Sequence, residues 1–471
     1  MSTPRPTVDV LGVGFGPSNL ALAIAIDDHN ASAPPDQHLT ARFVEQQAAF
    51  GWHRGMLLEG ATMQVSFLKD LVTMRDPTSP RSFLAYLRDK DRLADFINNK
   101  SLFPSRVEFH DYLEWAASGV EELVDYGTRA VAVHPVRRDD EAAVTELDVV
   151  LRDLATGERR TVRTRNLVLA TGLVPSLPPG VERGPAVWHN SELLHRLDAL
   201  DAGSAESDGQ PAPRRFVVVG AGQSAAETAE HLHGRYPDSE VRAVFSRYGY
   251  SPADDTSFAN RIFDPDAVDH FFVAPDEVKQ MLLDYHGNTN YSVVDPELIA
   301  DLYGKAYQEK VVGRVRLHVH SACRVDALRP GEDGTGTEVD IEFLPTGVRE
   351  TVTTDVVVYA TGYRPIDPSG LLGDVGGWCR RSADGELLVQ RDYRLHTVAP
   401  LRAGVYLQGP TEHTHGISST LLSTTAVRAG EIVSSMVSAR WSAPDLEVAH
   451  DHVGEPATRT PRSAVLPGRD G

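Results

Sequence analysis

Cysteine is almost missing from this chain: Cys323 and Cys379 are the only two among 471 residues, and no C-x-x-C pair occurs. That scarcity argues against a disulfide framework and a closely spaced redox dithiol, and with the latter against the chemistry of a flavin disulfide reductase. It fits a cytoplasmic setting. No apolar run is long enough to span a bilayer, and the chain enters a β-run soon after its start, leaving no room for a secretory signal. Positive charge is in deficit, with a formal net charge of −20, which argues against broad electrostatic capture of nucleic acid or of an anionic membrane. Metal ligands do not gather either. His413 and His415 make a pair with no third ligand at suitable spacing, so no metal is expected and a loop beside a cofactor is the better reading.

What the chain does have is two glycine loops in the setting that phosphate binding requires. Val8-Asp9-Val10-Leu11 runs into Gly12-Val13-Gly14-Phe15-Gly16-Pro17, and a helical pattern from Asn19 to Ile26 follows. Arg215-Phe216-Val217-Val218-Val219 runs into Gly220-Ala221-Gly222-Gln223-Ser224-Ala225, with a second helical pattern from Ala225 to Leu232. Glycines permit the tight turn and let the backbone approach a pyrophosphate, while helix-start amides and the positive end of the dipole offset its charge. Neither loop is a perfect G-x-G-x-x-G, since Pro17 and Ala225 hold the last positions.

The end of the next strand indicates which nucleotide each loop takes. After the first loop, Leu39 to Val44 ends in Glu45, a carboxylate that accepts from ribose hydroxyls and suits an adenosine without a 2′-phosphate. Its late position makes Asn30 to His38 an extended loop. After the second, Ser239 to Phe245 leads to Ser246 and Arg247, a cation suited to a 2′-phosphate, so this site should prefer NADP(H). A solvated surface arginine is the alternative reading of Arg247.

The expected fold is α/β, with two Rossmann-like dinucleotide-binding domains and a small substrate-binding region. Buried strands ending in small-residue turns, Asn166 to Gly172 and Asp355 to Tyr363, close the two units. Residues 1–197 are the first part of the FAD domain, 198–213 an acidic Gly/Pro-rich linker, and 214–365 the NADPH domain, with a substrate segment at about 250–310. Residues 366–441 return to the FAD domain, making it discontinuous, and 442–471 read as a disordered tail.

Three classes compete for such a chain: a disulfide reductase, a flavin monooxygenase and a non-catalytic dinucleotide sensor. Further motifs bear on the choice. They are Trp52-His53; Met63-Gln64-Val65-Ser66-Phe67-Leu68-Lys69-Asp70, continuing to Arg75-Asp76-Pro77; Phe258-Ala259-Asn260; Asn288-Thr289-Asn290-Tyr291-Ser292; Ala360-Thr361-Gly362-Tyr363; and Thr414-His415-Gly416-Ile417-Ser418 before Leu421-Leu422-Ser423. In this order, from about Val8 to Val437, they resemble the microbial flavin-dependent N-hydroxylating monooxygenases that act on the side-chain amine of ornithine or lysine for siderophores. The partial likeness of Gly184 and Trp188-His189-Asn190-Ser191 to a broader flavin monooxygenase fingerprint fits the same superfamily.

The resemblance implies FAD and NADPH as cofactors, and an amino acid and dioxygen as substrates that meet through a flavin hydroperoxide. It also implies Lys69, Asn260 and Asn290 as amino-acid contacts, with Asn260 and Gln64 at the reacting centre. Around FAD it sets Gly12, Gly14, Gly16, Pro17, Glu45, Trp52, His53, Gln64, Leu421 and Ser423. Around NADPH it sets Arg106, Gly220, Gly222, Gln223, Ser224, Arg247 and Tyr291. These residue types suit the chemistry: Lys69 can pair with an α-carboxylate, and neutral amides can orient the substrate without holding its distal amine as an ammonium. The wording Val65 to Asp70 resembles ornithine enzymes more than lysine ones. One methylene is worth only about 1–3 kcal/mol, so lysine or a diamine is the alternative. Gly249-Tyr250-Ser251-Pro252 lacks the basic residue that such enzymes carry before the proline, which implies a modest preference for NADPH over NADH. A dimer or tetramer is the assembly allowed for.

Overall fold

In the computed structural model, which describes residues 7–138, 142–205, 214–289, 291–331 and 336–441, strand Thr7–Val13 lies between Ala41–Val44 and Arg159–Leu169, parallel to both. Alternation sends Val10 and Val168 to one core and Leu11, Val13, Leu167 and Leu169 to another, as a strand covered on both faces requires. Helices Pro17–Ser32, Arg106–Ser118 and Thr425–Trp441 cover the Val10 side. Each fully buried aliphatic side chain there, such as Leu20 or Ile24, contributes roughly 1.5–3 kcal/mol. The sheet continues antiparallel through Leu147–Asp153 and Thr128–Pro135, while Gly404–Leu407 pairs parallel with Arg159–Leu169. One strand of the chain after residue 366 thus lies in the first sheet.

The second sheet is five-stranded and all parallel, in the order Leu317–His320, Glu240–Val244, Arg215–Val219, Val356–Tyr359, Val187–His189. Phe216 and Val218 pack toward the helices, and Val217 toward an antiparallel three-stranded sheet, Cys323–Pro330, Thr337–Phe343 and Val348–Thr354. Leu173–Pro175 and Tyr363–Pro365 pair antiparallel where the chain passes between the two units. Two open sheets with helices on their faces make the mixed α/β, doubly Rossmann-like architecture expected.

The structure departs from expectation in three places. Helix Pro17–Ser32 outlasts its predicted end, and Pro35–Gln37 forms a 3-10 turn, so residues 30–38 are not an extended loop; Asn30 fastens this turn through both its amide atoms to the backbone of Leu39. Val187–His189, placed within the first domain at 1–197, pairs with Val356–Tyr359 of the second sheet. Residues 198–205 of the expected linker belong to helix Leu193–Ala205; residues 206–213, and the expected tail at 442–471, lie outside the described residues. Among the described residues no helix is long and apolar enough to cross a membrane.

Candidate active site

Both glycine loops open into one cleft of about 2660 Å³ between the sheets. Its size exceeds the roughly 300–1,000 Å³ usual for one small ligand, so the space accommodates more than one. At the first loop Gly14 has φ +83°, and a Cβ there would lie 2.2 Å from the Ala170 carbonyl oxygen. A Cβ on Gly12 would meet the Phe43 ring at 2.3 Å, whereas Gly16 faces open space. The Asn19 amide donates to Gly14 O at 2.7 Å, fixing the turn. Pro17 is the first helical residue, where its missing N–H costs nothing. Glu45, buried at the end of Ala41–Val44, accepts from Phe15 N at 2.7 Å and Gln47 N at 2.9 Å, so its carboxylate is held against the cleft wall. A left-handed glycine, an open cradle before a helix start and a fixed carboxylate together fit the diphosphate and ribose of FAD.

The second loop repeats the plan. Gly220 has φ +146°, with Ala360 O 2.4 Å from where its Cβ would stand, and Gly222 caps helix Gln223–Arg235. Gln223 accepts from Asp295 N at 2.8 Å and donates to Glu227 at 3.0 Å, while Ser224 lines the cleft. Arg247, exposed on the rim beyond Glu240–Val244, donates to Ser292 O at 2.8 Å and to Ser251 Oγ at 3.3 Å. A fixed cation at the strand end next to the second cradle fits the 2′-phosphate of NADPH.

Between the loops lie the remaining expected groups. Lys69 reaches to 5.6 Å from the centre of the Phe263 ring; burial lowers its pKa and nearby Asp264 opposes that shift. Asn260, in the 3-10 turn Ala259–Phe263, donates through Nδ2 to Asp255 O at 2.6 Å, which leaves Oδ1 as an acceptor for a ligand. Gln64, Trp52, His53, Leu421 and Ser423 line the same cleft. His53 has a left-handed backbone with φ 49°. Its side chain is exposed to the cleft, and desolvation, then the charges of Arg106 and His110, push its pKa down to about 4. Tyr291 donates its hydroxyl to Glu412 across the cleft. Asn290 lies outside the described residues.

Two expected contacts stand elsewhere. Gly12 is packed under Phe43 and Asn19 and not on the cleft wall. Arg106, expected to touch NADPH, does not line the cleft either: its guanidinium is held by Glu227 at 2.9 and 2.7 Å and by Met56 O at 3.0 Å. His413 and His415 are engaged structurally, through Leu387 O and Glu386 for the first and Arg391 O and Thr414 for the second. Among the described residues no group of three or more His, Cys, Asp or Glu is placed to hold a metal.

Sequence reasoning missed several supporting groups. Buried Asp70 accepts from Val72 N, Thr73 N, Thr73 Oγ1 and Phe83 N at 2.6 to 2.9 Å, bracing the segment that carries Lys69. The spacing Asp70-Leu71-Val72-Thr73 is an Asx-turn signal that could have found it. Gln408 and Arg428, packed behind the first loop, had no local signal.

A protein-family model described as L-lysine 6-monooxygenase/L-ornithine 5-monooxygenase matches residues 6–365. The L-ornithine N(5)-monooxygenase of Burkholderia cepacia is 40% identical over 422 residues, 88% of this chain and 90% of that protein. The ornithine N-hydroxylase of Kutzneria sp. 744, in a structure with reduced FAD, NADP+ and L-ornithine, is 45% identical with a TM-score of 0.85, covering 92% of this chain and 100% of that one. The L-lysine 6-monooxygenase of Pseudomonas syringae is 33% identical with a TM-score of 0.78, covering 92% and 99%.

Proposed function

The chain belongs to the L-lysine 6-monooxygenase/L-ornithine 5-monooxygenase family and is a flavin-dependent N-hydroxylating monooxygenase, and we propose that its substrate is L-ornithine, hydroxylated on the side-chain nitrogen. The observation that carries this reading is that Lys69 and Asn260 face the cleft into which both glycine loops open. Greater similarity to ornithine than to lysine enzymes supports the shorter substrate. A lysine hydroxylase is the second reading.

The first cradle, with Glu45 toward the ribose, would hold FAD, and the second, with Arg247 toward the 2′-phosphate, would hold NADPH; bound together they would supply the electrons and the activated oxygen for hydroxylating a nucleophile. The unit of residues 7–172 and 366–441 serves the flavin, and residues 173–365 serve NADPH. Lys69 pairs with the substrate α-carboxylate, and Asn260, with Asn290, orients the amino acid through neutral amides. The nitrogen must reach the oxygen donor with its lone pair free. A carboxylate beside it would hold it as an ammonium, and two of the cleft's acids are engaged elsewhere: Asp254 accepts from Thr256 N and Oγ1, and Glu412 from Tyr291. Trp52, Gln64, Leu421 and Ser423 wall the reacting region and limit access of water. Two lone cysteines and NADPH dependence support a cytoplasmic enzyme, acting as a homo-oligomer in hydroxamate siderophore or related natural-product synthesis.

The test is a product assay with NADPH and oxygen across ornithine, lysine, putrescine and cadaverine. Hydroxylamine from ornithine ahead of the others is expected. Hydrogen peroxide alone with every amine would remove the hydroxylase reading, and a preference for lysine would replace the substrate.

A further inference from the structure

Arg428 is 1% exposed, and among the described residues every hydrogen-bond partner it has is neutral. Its Nη1 donates to Ser419 O at 2.6 Å, Nη2 to Ser18 Oγ at 3.1 Å and Thr425 Oγ1 at 3.3 Å, and Nε to Gln408 Oε1 at 3.3 Å. Among the described residues no carboxylate lies within 4.0 Å of it. The nearby Glu431 is committed to Arg391, which it grips at 2.9 Å through both oxygens. Arg428 also stands in the first turn of helix Thr425–Trp441, where the helix dipole disfavours a cation. A buried charge without a counter-charge costs several kcal/mol, and a guanidinium cannot escape that cost by losing its proton.

The surroundings indicate what offsets the cost. Ser18 is the second residue of helix Pro17–Ser32. Gln408 donates to Ser18 O at 3.3 Å and to Asn19 Oδ1 at 2.9 Å, and Asn19 in turn holds Gly14 O. Ser18, Gln408 and Thr425 all line the cleft. The guanidinium therefore stands one side chain behind the first cradle, linked to its glycine turn. We propose that Arg428 is the buried counter-charge for the diphosphate of the dinucleotide at the first glycine loop, a positioning residue that acts through Ser18 and Gln408 without touching the ligand. This rests on FAD occupying that loop.

The experiment uses the full chain freed of flavin, as wild type, Arg428→Met and Arg428→Lys. It reads FAD affinity from flavin fluorescence, ADP affinity from displacement of FAD, and the rise in melting temperature that FAD produces. Wild type that binds no FAD would sink the cofactor reading itself. With FAD bound by wild type, Arg428→Met should weaken FAD and ADP alike by about tenfold or more, as loss of a charge from a low-dielectric site implies. The same variant should show a smaller FAD-induced rise while the flavin-free protein melts no lower than wild type. Arg428→Lys, which keeps the charge and loses the fork, should stay within about threefold for both ligands. Equal losses in the Met and Lys variants, or flavin-free destabilisation with an unchanged FAD-induced rise, would make Arg428 a structural clamp and overturn the proposal. Weaker FAD with unchanged ADP would move the counter-charge to the flavin ring and overturn it too. If Arg428→Met does not fold, the Lys variant decides: a tenfold loss of ADP overturns the proposal, and near-native ADP affinity supports it.

Discussion

Arg106, the first residue of helix Arg106–Ser118, grips Glu227 of helix Gln223–Arg235 through two parallel hydrogen bonds of 2.9 and 2.7 Å. One partner belongs to the flavin-side unit and the other to the helix of the second glycine loop, and their side chains are only 14% and 5% exposed. Removing one member of such a pair strands the other. Arg106→Ala should cost about 3–5 kcal/mol in chemical unfolding, with Arg106→Met/Glu227→Met recovering much of it. If Arg106→Ala unfolds like wild type and only NADPH saturation worsens, the arginine is a ligand group and not a tie.

The two cradles should fail separately. Gly14→Ala would drive a methyl into Ala170 O and Gly220→Ala into Ala360 O, both from left-handed backbone. Gly14→Ala should purify without bound flavin. Gly220→Ala should keep its flavin yet need about tenfold more NADPH or worse, read from the absorbance spectrum and from steady-state kinetics. Loss of flavin in both variants would contradict this assignment.

Lys69 should leave a signature in pH. Burial lowers its pKa below the usual lysine range, so its charge, and its hold on a carboxylate, fades as pH rises toward that lowered value. The half-saturating concentration of ornithine should climb at alkaline pH in wild type and less in Lys69→Arg, which stays charged. The substrate's own amines titrate equally in both, so the difference between them isolates Lys69. At neutral pH Lys69→Ala should raise half-saturation about tenfold or more with flavin content intact. Unchanged kinetics would end the carboxylate role.

His415 stacks on Tyr393 with ring centres 4.2 Å apart, and burial is the main cause that pushes its pKa down to about 4 from 6.5. Well above pH 6.5 it is neutral folded or unfolded and contributes no pH dependence. As pH falls from 6.5 to 4 the unfolded chain takes a proton that the folded one resists, so stability is lost, by up to roughly 3 kcal/mol. Melting curves across that window should fall more steeply for wild type than for His415→Gln. Parallel slopes would show that the buried ring carries none of the acid sensitivity.

What was legible in the sequence was local. A strand, a glycine turn and a helix start adjoin in the chain, so both cradles and the fold class could be read directly, whereas Lys69, Asn260 and Trp52 came together only through the resemblance. What was not legible depends on partners distant in sequence. Asp198 and Asp201 read as linker acids, yet they end up in helix Leu193–Ala205 because Arg235, Arg214 and Tyr236 bind them from the neighbouring element. Arg106 was set beside NADPH by the resemblance alone, and its carboxylate partner lies 121 residues away. Arg428 and Ser18 are 410 residues apart, and nothing around either one announces the other.

The short ribbon of Leu173–Pro175 against Tyr363–Pro365 has an evolutionary and practical corollary. Neighbouring strands lie about 5 Å apart, so everything between these two segments begins and ends at nearly the same point in space. Such a stretch can be cut out, exchanged with that of a homologue or grafted as a cassette without rethreading the remainder of the polypeptide. Such an exchange would carry Arg247, Asn260 and Glu227 together, so coenzyme and substrate contacts would move as one block, and the replacement would have to meet Arg106.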